Sequence, residues 1–293
     1  MRSNRTLSFV CARPYWTHGS SYLRVFQLAE LAAQRLPAVR VRELAEIAGD
    51  IRDEVLVLNK SCLQPLFLGD VMERLPALRR RNVCLADPVD LLLADGILAH
   101  FDGVIAASLT QAEHLASHLS TPVFLIHHHV DARLPGERKE WDSARAAYFG
   151  ELSNTCHADS LNDLVDFFSV DSSNASEIPW ARHLPFYNVH YCLRQRRRTD
   201  GFKPATKLFI AASFNAPVVI ERHDPEARRL LPSDYPYYVD STELAEVRAA
   251  LRRVAETFGK DEWLHARRCL SAIDCYRQGR VVDSIEAMMR TIG

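Results

Sequence analysis

The sequence predicts an α/β protein of two halves, each a parallel sheet covered by helices. Three observations carry this. The chain has 293 residues, 47% hydrophobic and 25% charged, which suits about two globular domains. Short apolar runs alternate with longer helical patterns, the signature of parallel sheets with crossover helices. The pattern then restarts at Ala146-Ala147-Tyr148-Phe149-Gly150, after the Pro-, Gly- and charge-rich stretch Leu134 to Lys139. These place one domain over 1–138 and a second over 139–293.

In the first half, Thr6 to Cys11 reads as a strand. A loop with Tyr15, His18 and Gly19 leads into a helix over about Ser20 to Leu36, whose apolar face carries Leu23, Phe26, Leu28 and Leu31. Val39 to Arg42 and Val55 to Leu58 are further strands. A helix is expected over Leu66 to Leu75, a strand over Asn82 to Leu85, and a helix over Leu91 to Leu98 with Asp90 as a possible N-cap. Gly103 to Ala106 and Val123 to Ile126 are strands, and Ser108 caps a helix running to His118. Ligands of such sheets bind beyond the carboxyl ends of the strands. His18, Asp87, Ser108 and His127 all fall there.

In the second half, a helix-like run covers Leu161 to Phe168, with Phe167 to Val170 as its following strand, and Asn188 to Leu193 is a strand. The stretch from Gly201 to Val219 is the most informative. A cationic loop leads to Pro204, suited to the first position of a helix. Thr206 and Lys207 fall in the first turn, where free N–H groups and the positive helix end attract an anion. Leu208, Phe209, Ala211 and Ala212 form an apolar face, Asn215 can cap the end, and Pro217-Val218-Val219-Ile220 starts a buried strand. A lysine aimed from a helix start behind a sheet makes a diphosphate cradle. Amphipathic helices follow over Thr242 to Phe258 and from Asp261 onward.

The run Pro204-Ala205-Thr206-Lys207-Leu208 with Ala216-Pro217-Val218-Val219 resembles the nucleotide-sugar-binding region of GT-B glycosyltransferases. The Gly19-Ser20-Ser21 loop with Arg24 one turn later is similar to that family's first helix. Phe101-Asp102-Gly103-Val104-Ile105-Ala106-Ala107-Ser108 resembles its Asp-x-Val-Ile-x-x-Ser step, and Val123 to Asp131 its closing strand and Val-Asp turn. The resemblance implies two Rossmann-like domains facing a central cleft, transfer of a sugar from a nucleoside-diphosphate donor to an acceptor hydroxyl in polysaccharide or glycoconjugate synthesis, and a carbohydrate or lipid-linked acceptor. It also implies independence of metal, and in such proteins the last helix often returns to the N-terminal domain. Two glutamates eight positions apart, common in retaining members, are replaced here by Phe202 and Ile210. Stereochemistry therefore stays open.

The donor-binding candidates are Gly19, Arg194, Lys203, Thr206 and Lys207 for the diphosphate, with Arg198 as a further cation. Glu226, or alternatively Glu221, is the candidate for ribose hydroxyls; Pro225-Glu226 reads equally well as a plain helix start. Asp87, Asp90 and His18 are the candidates for taking the acceptor proton. Two rival readings use the same scaffold: a nucleotide-sugar epimerase or phosphate-ester hydrolase, and a non-catalytic scaffold that binds a partner.

The net charge of −1 gives no indication of nucleic-acid binding. Seven cysteines include no Cys-x-x-Cys pair, so neither a zinc knuckle nor a redox dithiol is signalled, and their odd number fits a reducing cytosol. No apolar run is long enough for a bilayer span, so work on a lipid-linked sugar is expected from the membrane surface. His127-His128-His129 is expected to line the cleft, since successive strand residues face opposite ways and cannot easily share one ion. Tyr235-Pro236-Tyr237-Tyr238 is expected to pack.

Overall fold

In a computed structural model, residues 5–47, 50–136, 139–195 and 202–292 are described. The first sheet contains β1 (Thr6–Cys11), β2 (Val39–Glu43), β3 (Glu54–Asn59), β4 (Val83–Val89), β5 (Gly103–Ala106) and β6 (Val123–Leu125). All its pairings are parallel, in the order β2-β1-β3-β4-β5-β6. The second contains β7 (Ala146–Gly150), β8 (Val165–Ser169), β9 (Val189–Tyr191), β10 (Val218–Glu221) and β11 (Tyr238–Val239). It is also parallel, ordered β11-β10-β9-β7-β8. Central strands are buried on both faces, which is why Glu-Val-Leu-Val-Leu-Asn and Val-Val-Ile read as near-continuous apolar runs rather than alternating ones.

The helices of the first half are α1 (Gly19–Ser21), α2 (Gln27–Ala33), α3 (Pro65–Arg79), α4 (Asp95–Leu98) and α5 (Leu109–His118). A π-helical turn, Tyr22–Phe26, joins α1 to α2, so the expected 20–36 helix forms with a bulge in its second turn. Such bulges re-aim side chains, and this one contains Arg24, which points inward. In the second half, α6 (Thr206–Ser213), α7 (Ala227–Leu230), α8 (Leu244–Glu256), α9 (Asp261–Ala272) and α10 (Gln278–Ile292) cover the sheet and close the chain. The last helix crosses back: Val281, Val282, Ile285, Met288 and Met289 share one apolar core with Leu7, Phe9, Leu28 and Val57 of the first half.

Three expected elements differ. The 161–168 stretch is a turn followed by β8, not a helix. Phe167 and Phe168 suit a pleated surface because they leave it on opposite faces. Phe167 packs on Tyr148 and Tyr191, whereas Phe168 stacks on Phe149 at 5.1 Å and on His183 at 4.4 Å. The 91–98 helix shrinks to α4, so Asp90 caps nothing there. The donor helix begins at Thr206 rather than at Pro204, and Asn215 ends it in the left-handed region at φ 48°. Tyr235, Tyr237 and Tyr238 are core residues; the Tyr235 hydroxyl bonds both the N–H and the carbonyl of Val218.

Two seams tie the halves together. At one, Gly19 N–H donates to the Ser172 carbonyl (2.9 Å), Ala175 N–H to the Thr17 carbonyl (2.6 Å), and the Thr17 hydroxyl to the Ser173 carbonyl (2.9 Å). At the other, the Glu226 carboxylate accepts from the N–H groups of Leu109 (3.1 Å) and Thr110 (2.7 Å) and from the Thr110 hydroxyl (2.5 Å). That places a carboxylate on the free N–H groups and positive end of α5.

Candidate active site

Between the seams lies a cleft of about 600 Å³ lined from both halves. One wall is the carboxyl edge of the second sheet and the start of α6, with Gly150, Glu151, Arg194, Lys203, Thr206 and Lys207. The other is the carboxyl edge of the first sheet, with Tyr15, His18, Gly19, Lys60, Asp90 and His128. Parallel strands end together at one edge, and the residues just after them meet there.

Lys207 is the second residue of α6, beside N–H groups that have no partner within the helix. Its Nζ lies 5.0 Å from the centre of the Tyr148 ring, a cation–π contact. Tyr148 is held in place by its hydroxyl, which donates to the Glu151 carbonyl at 2.8 Å. Burial, then the neighbouring cation of Arg194, with Lys203 adding to it, brings the Lys207 ammonium down to about 8. Three like charges converge on one helix start, a site whose mutual repulsion an oligophosphate would relieve.

Gly150 makes room for this lysine. A Cβ at position 150 would come within 2.8 Å of the Lys207 Cε and 2.6 Å of the Tyr148 hydroxyl oxygen. Nearby, Glu151 accepts from Asn154 Nδ2 at 2.7 Å and from the Ser172 hydroxyl.

Across the cleft, Asp90 accepts from Lys60 Nζ at 2.5 Å, with both side chains about a quarter exposed (23% and 25%). His18 precedes α1, and its ring meets Tyr15 edge-on at 4.8 Å.

The structure thus brings His18, Gly19, Asp90, Arg194, Lys203, Thr206 and Lys207 to one cleft. Three expected residues lie elsewhere. Asp87 is fully buried inside β4, where its two oxygens accept from Arg24 Nε (3.0 Å) and Nη2 (3.2 Å). Arg24 is spent too: its Nη1 donates to the Ile126 carbonyl (2.6 Å). Burial pushes the Asp87 carboxyl up against the pull of Arg24, and Asp87 is not among the cleft-lining residues. Asp87, expected to take the acceptor proton, stands as half of a buried ion pair with Arg24. Glu226, expected at the ribose, forms the interdomain cap described above, with both its oxygens taken by α5. Glu221 ends β10 and is not among the cleft-lining residues. Arg198 lies outside the described residues.

Sequence reasoning missed Lys60, Glu151, Asn154, Asp171 and Trp180, which also line the cleft. Lys60, Glu151 and Asp171 each fall within two residues of the carboxyl end of a strand (β3, β7 and β8), so the strand-end rule that flagged His18 was the available signal. Asn154 follows from Glu151. Trp180, in a 3-10 turn beyond β8, carried no such mark. Among the described residues, no group of three His, Cys, Asp or Glu is placed to hold a metal ion, and no helix is long and apolar enough to cross a membrane.

No family model matches the sequence, and no curated protein does. Solved structures do match in shape. The lipopolysaccharide outer core galactosyltransferase WaaB superposes with a TM-score of 0.60 at 10% identity, over 97% of this chain and 99% of that one. Anabaena HepE, solved in complex with UDP, gives 0.57 at 12% identity, over 98% and 99%. AviGT4, a glycosyltransferase of avilamycin A biosynthesis, gives 0.55 at 15%, over 97% of each. Against S. aureus TarM the match covers 89% of this chain but only 58% of the other. With two parallel sheets, the cleft between their carboxyl edges and a last helix that returns to the first half, the chain has the GT-B glycosyltransferase fold.

Proposed function

We propose that this protein transfers a sugar from a nucleoside-diphosphate donor, held mainly by its second half, to an acceptor hydroxyl presented by the first. The observation that supports this most directly is the convergence of Lys207, Arg194 and Lys203 on the start of α6, with Gly150 clearing the approach. Negative charge grows on the leaving diphosphate as the glycosidic bond breaks, so cations and helix N–H groups fixed at that place stabilise the transition state more than the ground state. HepE and TarM were both solved with UDP, which fits a uridine or related diphosphate as the ligand class. No metal need be invoked for the diphosphate, since the protein's own cations meet it.

On the opposite wall, Asp90 and His18 are the groups placed to take the acceptor proton. Asp90 reaches the cleft with Lys60 on one oxygen, leaving the other for a hydroxyl. A carbohydrate acceptor, free or lipid-linked, would enter on this side, within the setting of glycoconjugate synthesis.

The test is an assay with a panel of nucleotide sugars and carbohydrate acceptors, reading nucleoside-diphosphate release and the mass of the acceptor. Acceptor-dependent release with a matching mass gain is expected. An altered nucleotide sugar formed without acceptor would turn the reading to epimerisation, and no turnover with any donor would count for a non-catalytic scaffold.

A further inference from the structure

The histidine run after β6 places three rings in three different environments. His127 meets Phe209 of α6 edge-on, with centroids 5.9 Å apart at 89°. His129 is tied by Nε2 to the Gln27 side-chain oxygen at 2.8 Å. His128, between them, is 4% exposed and lines the cleft near Lys60 and Asp90. Its Nδ1 is buried without a hydrogen-bond partner, and among the described residues no hydrogen bond reaches its other nitrogen.

A buried polar side chain left without partners costs free energy unless something supplies one. Burial first, then the cation of Arg24, holds the His128 imidazole neutral, and its two histidine neighbours are pushed down to about 4. A neutral ring suits a neutral hydroxyl better than a phosphate, and the cations that suit a phosphate stand on the opposite wall. Nδ1 is shut away from solvent, so Nε2 is the nitrogen left to meet a ligand, and it donates in the Nε2–H tautomer.

We propose that His128 is a positioning residue that hydrogen-bonds a hydroxyl of the sugar in the cleft, donating from Nε2. This rests on the reading that the cleft takes a nucleotide sugar. The hydroxyl belongs either to the transferred sugar or to the acceptor, and the two sources separate experimentally.

The experiment compares the wild-type chain with His128→Ala and His128→Gln. Calorimetry uses UDP, GDP, ADP, CDP and dTDP, then the glucose, galactose and N-acetylglucosamine conjugates of whichever diphosphate binds; acceptor KM is measured in the transfer assay. For His128→Ala, the diphosphate Kd should stay within about twofold, while either the nucleotide-sugar Kd or the acceptor KM rises about tenfold, the size of one lost hydrogen bond. The first result assigns the hydroxyl to the transferred sugar and the second to the acceptor. His128→Gln should restore much of the loss, because an amide still donates.

Should the variants fail to fold, wild-type protein decides. The ring ¹⁵N resonances of His128, assigned through its backbone amide, should move with a sugar conjugate or acceptor and not with the diphosphate alone. Unchanged affinities and KM in both folded variants, or equal loss of diphosphate and conjugate binding, would overturn the inference while leaving the proposed function standing. Binding of no diphosphate by the wild type would instead defeat the proposed function, and this inference with it.

Discussion

Gly150 and Lys207 are matched in shape: the missing side chain of one is the space through which the other reaches the cleft, with 2.8 Å between a Cβ at 150 and the lysine Cε. Gly150→Ala must therefore displace Lys207, Tyr148 or the end of β7. The expected cost is about 1–3 kcal/mol of stability, as for other overpacked sites. Diphosphate affinity should fall at least about tenfold. Chemical denaturation and calorimetry on the same variant measure both.

Lys207 gives the site a pH dependence. Its folded-state value, brought down to about 8 from 10.5, means that the unfolded chain binds more protons between those values. Stability from this group therefore rises with pH from about 8 towards 10.5, and at pH 7 the buried charge is a net cost. Lys207→Met should raise the ligand-free melting temperature at pH 7 while abolishing the shift that a diphosphate produces. In the wild type, diphosphate Kd should increase as pH rises through about 8 and the ammonium loses its proton. Thermal scans and titrations between pH 6.5 and 9.5 check both signs.

The Arg24–Asp87 pair is a structural claim, not a catalytic one. Removing one partner strands a buried charge, so Arg24→Leu should cost about 3–5 kcal/mol. Replacing both by apolar residues of similar volume should cost much less than the two single changes together. Urea denaturation of the two single variants and the double variant supplies the cycle.

Glu226 separates the seam from the ribose reading. Glu226→Gln keeps the shape but removes the charge from the N–H groups of α5, and should lower stability by about 1–2 kcal/mol. The Kd of the nucleoside diphosphate should stay within about twofold. A large loss of affinity without a loss of stability would return Glu226 to the nucleotide.

The alternation of strands and helices, the restart at Ala146 and the Pro204–Val219 run were legible because each depends on local chemistry: apolar runs for doubly buried strands, and a lysine placed at a helix start. The start of the strand at Val165–Ser169 was not, since Leu161, Leu164 and Val165 also mimic a helical face and only pairing with β7 decides between them. Asp87 and Glu226 looked functional for a related reason. A carboxylate near a strand end has the same sequence whether it meets a ligand, Arg24 or the start of α5, and the π-helical turn that aims Arg24 at Asp87 leaves no mark in the sequence. Glu151 was readable by the strand-end rule, since it directly follows β7.

The most direct test of the account is calorimetric titration of UDP, GDP, ADP, CDP and dTDP into the wild-type chain and into Lys207→Ala. The account predicts that one of them binds the wild type and that the variant, still folded, binds it about 10- to 100-fold more weakly, as expected for a lost charge-assisted contact. No binding by the wild type, or equal binding by the folded variant, would contradict it.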